Sequence, residues 1–199
     1  MKIVLATSNA KKLTELARIL KDQGLDIGLA TVSEFPGAPT VAETENTFEG
    51  NALLKARALC AFTGLPALAD DSGLCVNALN GMPGIFSARW SGVTHDVDEA
   101  NLQLVLRQLT DVPDVRRGAQ FVCAAALVMP DGREFTVRGT VEGHLVREPI
   151  GDEGFGYDPI FMPDGFAVTT AQMNALEKDA ISHRGNALRA MALILEEII

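Results

Sequence analysis

Two adjacent carboxylates, Asp70 and Asp71, follow the apolar run Leu65 to Ala69 and precede Ser72 and Gly73. Hard oxygen donors of this type suit magnesium, which is usually held by one or two carboxylates together with substrate phosphates. The second carboxylate could orient or deprotonate an attacking water. The plain alternative is an acidic turn, since Asp, Ser and Gly are turn formers.

Four other segments carry groups of complementary chemistry. Thr7-Ser8-Asn9-Ala10-Lys11-Lys12 closes a strand pattern and opens a helical one. Free N–H groups at a helix start, with lysines beside them, can cradle a phosphate. The G-x-x-x-x-G-K-[ST] pattern of a P-loop is absent, and a solvated helix cap is the competing explanation. Glu43 precedes a helical stretch and could reach a metal, while Asn51 and Lys55 are four apart and share one helix face. Gly154-Phe155-Gly156-Tyr157-Asp158 offers an aromatic ring between glycines, able to stack on a base, with Tyr157 and Asp158 as hydrogen-bonding groups. Lys178 and Ser182-His183-Arg184 bring cationic donors to the start of the last helix, where they need an anion or a keto oxygen to balance the dipole. Together a phosphate cradle, magnesium carboxylates, an aromatic platform and donors for a base edge describe a nucleoside triphosphate site.

The surrounding elements must bring these segments together. Lys2 to Ala6 reads as a buried strand, Lys11 to Gln23 as a helix capped by Gly24, and Asp26 to Val32 as a second strand. Strand, helix, strand favours a parallel pairing. A helix is expected from about Thr47 to Thr63, with Asn46 as its cap and Gly64 as its stop. Leu65 to Ala69 is expected to be a buried strand running directly into Asp70-Asp71-Ser72-Gly73, with Leu74 to Leu79 as a candidate for its continuation. Asp98 to Leu109 is a third helix. Ala119 to Met129 and Glu134 to His144 are strands joined at Pro130-Asp131-Gly132, and Gly185 to Ile198 is a final helix. The fold class expected is a mixed α/β sheet flanked by helices.

Bulk composition narrows the partners. The 199 residues carry 17 Lys plus Arg against 26 Asp plus Glu, a formal net charge of −9. Such a chain lacks the basic face that nucleic-acid binding requires, so no nucleic-acid partner is expected. Cys60, Cys75 and Cys123 are odd in number and widely spaced, which argues for buried thiols in a reducing cytoplasm over disulfides or zinc. No apolar run reaches membrane-spanning length.

The motifs are recognisable as a set. T-S-N-A-K-K at 7–12, E-N-T-F-E-G-N-A-L-L-K-A-R-A at 45–58, A-D-D-S-G-L at 69–74, P-G-I-F-S-A-R at 83–89, G-F-G-Y-D-P-I-F at 154–161 and K-D-A-I-S-H-R at 178–184 occur in order over nearly the whole chain. The sequence resembles the inosine triphosphate pyrophosphatase family, the XTP/dITP-type nucleotide hydrolases. The resemblance implies one elongated domain over residues 1–199, with two lobes sharing a sheet and a cleft between them. It implies a homodimer that hydrolyses ITP, dITP and XTP to the monophosphate plus pyrophosphate, with Mg2+. It assigns the general base and a metal carboxylate to Asp71, with Glu43 and Asp70 in the metal shell. Thr7, Ser8, Asn9, Ala10, Lys11, Lys12 and Lys55 would hold phosphates, and Ser72 would touch substrate. Phe155, Gly156, Tyr157, Asp158, Lys178, His183 and Arg184 would bind the base. A pyrophosphatase for modified pyrimidine triphosphates and a non-catalytic nucleotide sensor are the alternatives.

Overall fold

The computed structural model describes residues 2–7, 10–24 and 27–198, and the side chains of residues 10–12 lie outside that description. The chain runs β1 (Lys2–Leu5), α1 (Ala10–Asp22), β2 (Gly28–Thr31), α2 (Phe48–Thr63), β3 (Ala67–Val76), α3 (Val97–Gln108), β4 (Gly118–Val128), β5 (Glu134–Leu145), β6 (Phe161–Pro163), α4 (Ala175–Ile181) and α5 (His183–Ile198). Six strands form one sheet in the order β2-β1-β3-β4-β5-β6. The opening strand-helix-strand unit is parallel as expected, with Lys2 opposite Gly28 and Leu5 opposite Thr31. β1 also pairs in parallel with β3, Leu5 opposite Leu68. β5 and β6 are antiparallel, so the sheet is mixed.

Two compact units emerge. The first comprises Met1–Asp71, Cys123–Gly139 and His183–Ile199, and the second comprises Ser72–Val122 and Thr140–Ser182. In the first, α1 and α5 pack on the sheet. Leu16, Ile19 and Leu20 of α1 and Ala187, Leu188, Met191 and Leu195 of α5 recur at helical spacing. They cover Ile3, Leu5, Leu68, Cys123, Ala125 and Leu127, the alternate residues of β1, β3 and β4. Gly139 of β5 lets α5 come close, because a methyl group there would overlap the backbone of His183 and Ala187. In the second unit, Leu102 and Val105 of α3 and Leu109 just after it meet Leu74, Val76, Ala119, Phe121 and Leu145. The buried guanidinium of Arg117 donates to the carbonyls of Leu109, Leu145 and Val146, which ties the end of α3 to the end of β5.

Two expectations need correction. The cap of α2 is Thr47, whose hydroxyl accepts from the Gly50 N–H at 3.0 Å; Asn46 is displaced by one residue. Gly64 does end the helix, in the left-handed region at φ 67°. More consequentially, no acidic turn separates the strand candidates before Asp70 and after Gly73. β3 continues through Asp70, Asp71, Ser72 and Gly73 to Val76. Gly73 is accommodated because any side chain there would strike the Gly84 carbonyl and Ser87.

Candidate active site

Strand geometry divides the two aspartates. Successive side chains on a strand point to opposite faces of a sheet. Leu68 belongs to the face covered by α1 and α5, so Asp70 shares that face and Asp71 takes the other. The contacts follow this alternation. Asp70 meets Arg184 of α5, and Asp71 meets Asn51 and Lys55 of α2.

On the α2 face, Lys55 Nζ lies 2.9 Å from Glu43 Oε1 and 3.8 Å from Asp71 Oδ1. Glu43 and Asp71 therefore face one cationic position. Burial of Lys55 disfavours its charge, but Asp71, Asp70 and Glu43 more than offset this and hold the ammonium above its ordinary pKa. Asn51, fully buried, donates from Nδ2 to Asp71 Oδ2 at 3.0 Å. α2 buries Phe48, Asn51, Ala52, Ala56, Leu59 and Cys60, so Asn51 is carried to the strand within the buried set, and half-buried Lys55 follows one turn later.

β1 ends at Leu5 while β3 runs on, and the Ala6 N–H still donates to the Leu68 carbonyl at 2.8 Å. Thr7 and the start of α1 therefore leave the sheet at the edge where β3 bears its aspartates, the place where open α/β sheets bind ligands. Ser8 and Asn9, and the side chains of Ala10, Lys11 and Lys12, lie outside the described residues.

On the opposite face Arg184, 1% exposed, donates to Glu15 of α1 through Nη1 and to Asp70 Oδ2 through Nε at 3.4 Å. Burial works against the guanidinium charge, and the fields of Asp70 and Glu15 overcome it and raise the pKa. The anion expected at the start of the last helix is thus a pair of protein carboxylates. Glu15 was not legible as their partner, since it stands 169 residues from Arg184. His183 is buried beside it at the start of α5. Removing one member of a buried ionic set leaves uncompensated charge. Arg184→Met should therefore cost about 3–5 kcal/mol, read by denaturant unfolding.

The second unit gathers the aromatic motif. Asp158, buried, accepts the Phe155 N–H at 2.8 Å and Lys178 Nζ at 2.6 Å on Oδ2, and the Thr170 hydroxyl at 2.8 Å on Oδ1. Lys178 Nζ stands 5.0 Å from the centre of the Phe155 ring, within cation–π range. Asp98 accepts the Gly156 N–H at 3.0 Å. Tyr157 donates to the Ser87 carbonyl at 2.8 Å, and its burial together with Asp98 pushes the phenol pKa up. Asp158 and Tyr157 thus hold the loop, and Lys178 stands beside the Phe155 ring. Ser72, next to Asp71 on β3, belongs to this unit by chain position.

The Ham1 family profile matches residues 3–194. The chain belongs to the Ham1 family. A dITP/XTP pyrophosphatase of Streptomyces coelicolor is 54% identical over 198 residues, covering 100% of this chain and 98% of the relative. The crystal structure of a nucleoside-triphosphatase, dITP/XTP pyrophosphatase, from Mycobacterium abscessus matches with a TM-score of 0.79 at 52% identity, over 96% of this chain and 98% of that one. A Ham1 protein from Coxiella burnetii matches with a TM-score of 0.89 at 43% identity, over 99% of both chains. The α/β fold with its mixed sheet is therefore the Ham1 fold.

A metal is the remaining component to test against the side chains. Among the described residues no three His, Cys, Asp or Glu groups form a metal cage. Glu43 and Asp71 nonetheless fit a hard divalent cation, since both present carboxylate oxygens toward a position that already attracts an ammonium. Such sites complete their shell with phosphate oxygens and water. Among the described residues no helix is long and apolar enough to cross a membrane.

Proposed function

We propose that this chain hydrolyses the abnormal purine nucleoside triphosphates ITP, dITP and XTP to the nucleoside monophosphate plus pyrophosphate. The observation that carries this reading is the grouping of Glu43, Lys55 and Asp71 at the sheet edge where β1 gives way to α1. The names of the Streptomyces and Mycobacterium relatives supply the substrate class.

Glu43 and Asp71 are the residues that would hold Mg2+, and the bound ion would neutralise phosphate charge and polarise the bond to be cut. Asp70 contributes its field to Lys55 from the other side of the strand. Lys55 and the segment Thr7 to Lys12 grip the phosphates. Asp71 takes a proton from water as the water oxygen bonds to phosphorus at the α–β linkage. The bridging P–O bond breaks, and pyrophosphate leaves with its electron pair. No covalent enzyme intermediate is required. Ser72 touches the substrate near this centre. Phe155 stacks on the purine, Gly156 lets the base approach, and Lys178, with His183 and Arg184, completes the base-binding set, while Tyr157 and Asp158 keep that loop in place. The enzyme works as a cytoplasmic homodimer, a single domain of two lobes, without nucleic-acid partners, which its net charge of −9 disfavours.

The test is release of pyrophosphate from a panel of purine and pyrimidine triphosphates, with and without magnesium. Magnesium-dependent pyrophosphate from ITP, dITP and XTP is expected. Orthophosphate as the first product, or faster turnover of modified pyrimidine triphosphates, would overturn the reading.

A further inference from the structure

We infer that Asn51 is the positioning residue that fixes the orientation of the Asp71 carboxylate. The inference rests on the hydrolysis proposed above. Asn51 has no exposed surface, and both ends of its amide are engaged. Its Oδ1 accepts the Glu45 N–H at 3.0 Å, and its Nδ2 donates to Asp71 Oδ2 at 3.0 Å. A backbone N–H can only donate, so the side-chain oxygen must face Glu45 and the NH2 group must face Asp71. The amide cannot be reversed without opposing two donors at one end and two acceptors at the other.

This pairing makes the two oxygens of Asp71 inequivalent. Oδ2 is taken by Asn51, and Oδ1 is the oxygen turned toward Lys55. Rotation of the carboxylate is thereby restricted on a strand whose neighbour, β1, has already ended. The same amide clamps the loop at Glu45, two residues beyond Glu43. One buried side chain thus sets the aim of the proposed base and the path of the loop that carries its partner carboxylate. A neutral polar residue in the buried stripe of α2 costs desolvation unless its bonds are made, and here both are made.

Asn51→Asp separates the two roles. The variant keeps an oxygen for the Glu45 N–H but presents an acceptor to Asp71 in place of a donor. Turnover should fall about 10²-fold, the scale of a misplaced reacting group, with KM for ITP within about 3-fold of wild type. A double-mutant cycle on thermal stability gives a readout independent of activity. In Asn51→Asp combined with Asp71→Asn the hydrogen bond is rebuilt with reversed polarity. The pair should melt at least about 2 °C above the sum of the single shifts. Asn51→Ser, which retains a shorter donor, should lose less turnover than Asn51→Asp and serves if the latter does not fold.

Near-normal turnover of Asn51→Asp overturns the inference. So does a loss of activity with purely additive melting shifts, which marks a structural role alone. If wild-type protein releases no pyrophosphate, the functional reading fails, while the melting cycle still decides whether Asn51 orients Asp71.

Discussion

Asp71→Asn should lose at least about 10²-fold in turnover while remaining folded. Asparagine matches the shape of aspartate, and its carbonyl oxygen can still accept from Asn51 Nδ2, so the bond at 3.0 Å has a substitute. What is lost is charge. An amide cannot accept a proton from water at neutral pH. The loss also weakens the field on Lys55, since Asp71 is one of the three carboxylates that keep this ammonium charged. The effect should fall on kcat more than on KM, because the proton transfer belongs to the transition state. The neighbouring Asp70→Asn provides the contrast. Asp70 faces Arg184 on the α5 side of the sheet, so its loss should lower the unfolding free energy more than it lowers turnover. Steady-state kinetics and denaturant melts on both variants check the pair. Near-normal turnover of Asp71→Asn removes that residue from the role of base.

The different fates of Asp70 and Asp71 mark how far the sequence could be read. The helices, the parallel opening and the late hairpin follow from apolar periodicity and turn residues, and the architecture agrees with them. The Asp-Asp-Ser-Gly run imitates a turn, because those residue types favour turns when nothing else constrains them. Here tertiary pairing overrides that preference and β3 continues to Val76. Once the segment is a strand, period-two alternation alone separates the carboxylates. Glu15 was invisible for a different reason. Its partner lies on the last helix, and nothing local to α1 distinguishes it from a solvated glutamate. Asn51 left a usable trace: a polar residue at a position that the spacing of Phe48, Ala52, Ala56 and Leu59 assigns to the buried face. A buried amide in such a stripe implies a partner, though the helix pattern cannot name it.

The second large effect is discrimination at purine position 6. ITP and XTP carry an oxygen there, an acceptor, and ATP carries an amino donor. The ammonium of Lys178 is a donor only, with three N–H groups. Asp158 holds it at 2.6 Å beside the Phe155 ring, so it cannot swing away without depriving a buried carboxylate of its counter-ion. Arg184 is the other cation expected to read the base, but its Nη1 and Nε bond to Glu15 and Asp70. That commitment favours Lys178 as the principal donor. A 6-oxygen completes the ammonium's hydrogen bonds, whereas a 6-amino group sets donor against donor in a largely buried setting. Mismatches of this kind discriminate by about 10⁴-fold in kcat/KM. ITP should therefore exceed ATP by that order, and Lys178→Met should remove most of the advantage by lowering kcat/KM for ITP while leaving ATP nearly unchanged. The comparison uses two substrates identical in their phosphates, so the catalytic carboxylates contribute equally to both and cancel. GTP shares the 6-oxygen, so its turnover reports on the 2-amino group and leaves this test untouched. Equal kcat/KM for ATP and ITP in wild-type protein would refute discrimination at position 6. An unchanged ratio in Lys178→Met would transfer the reading of that position to another donor.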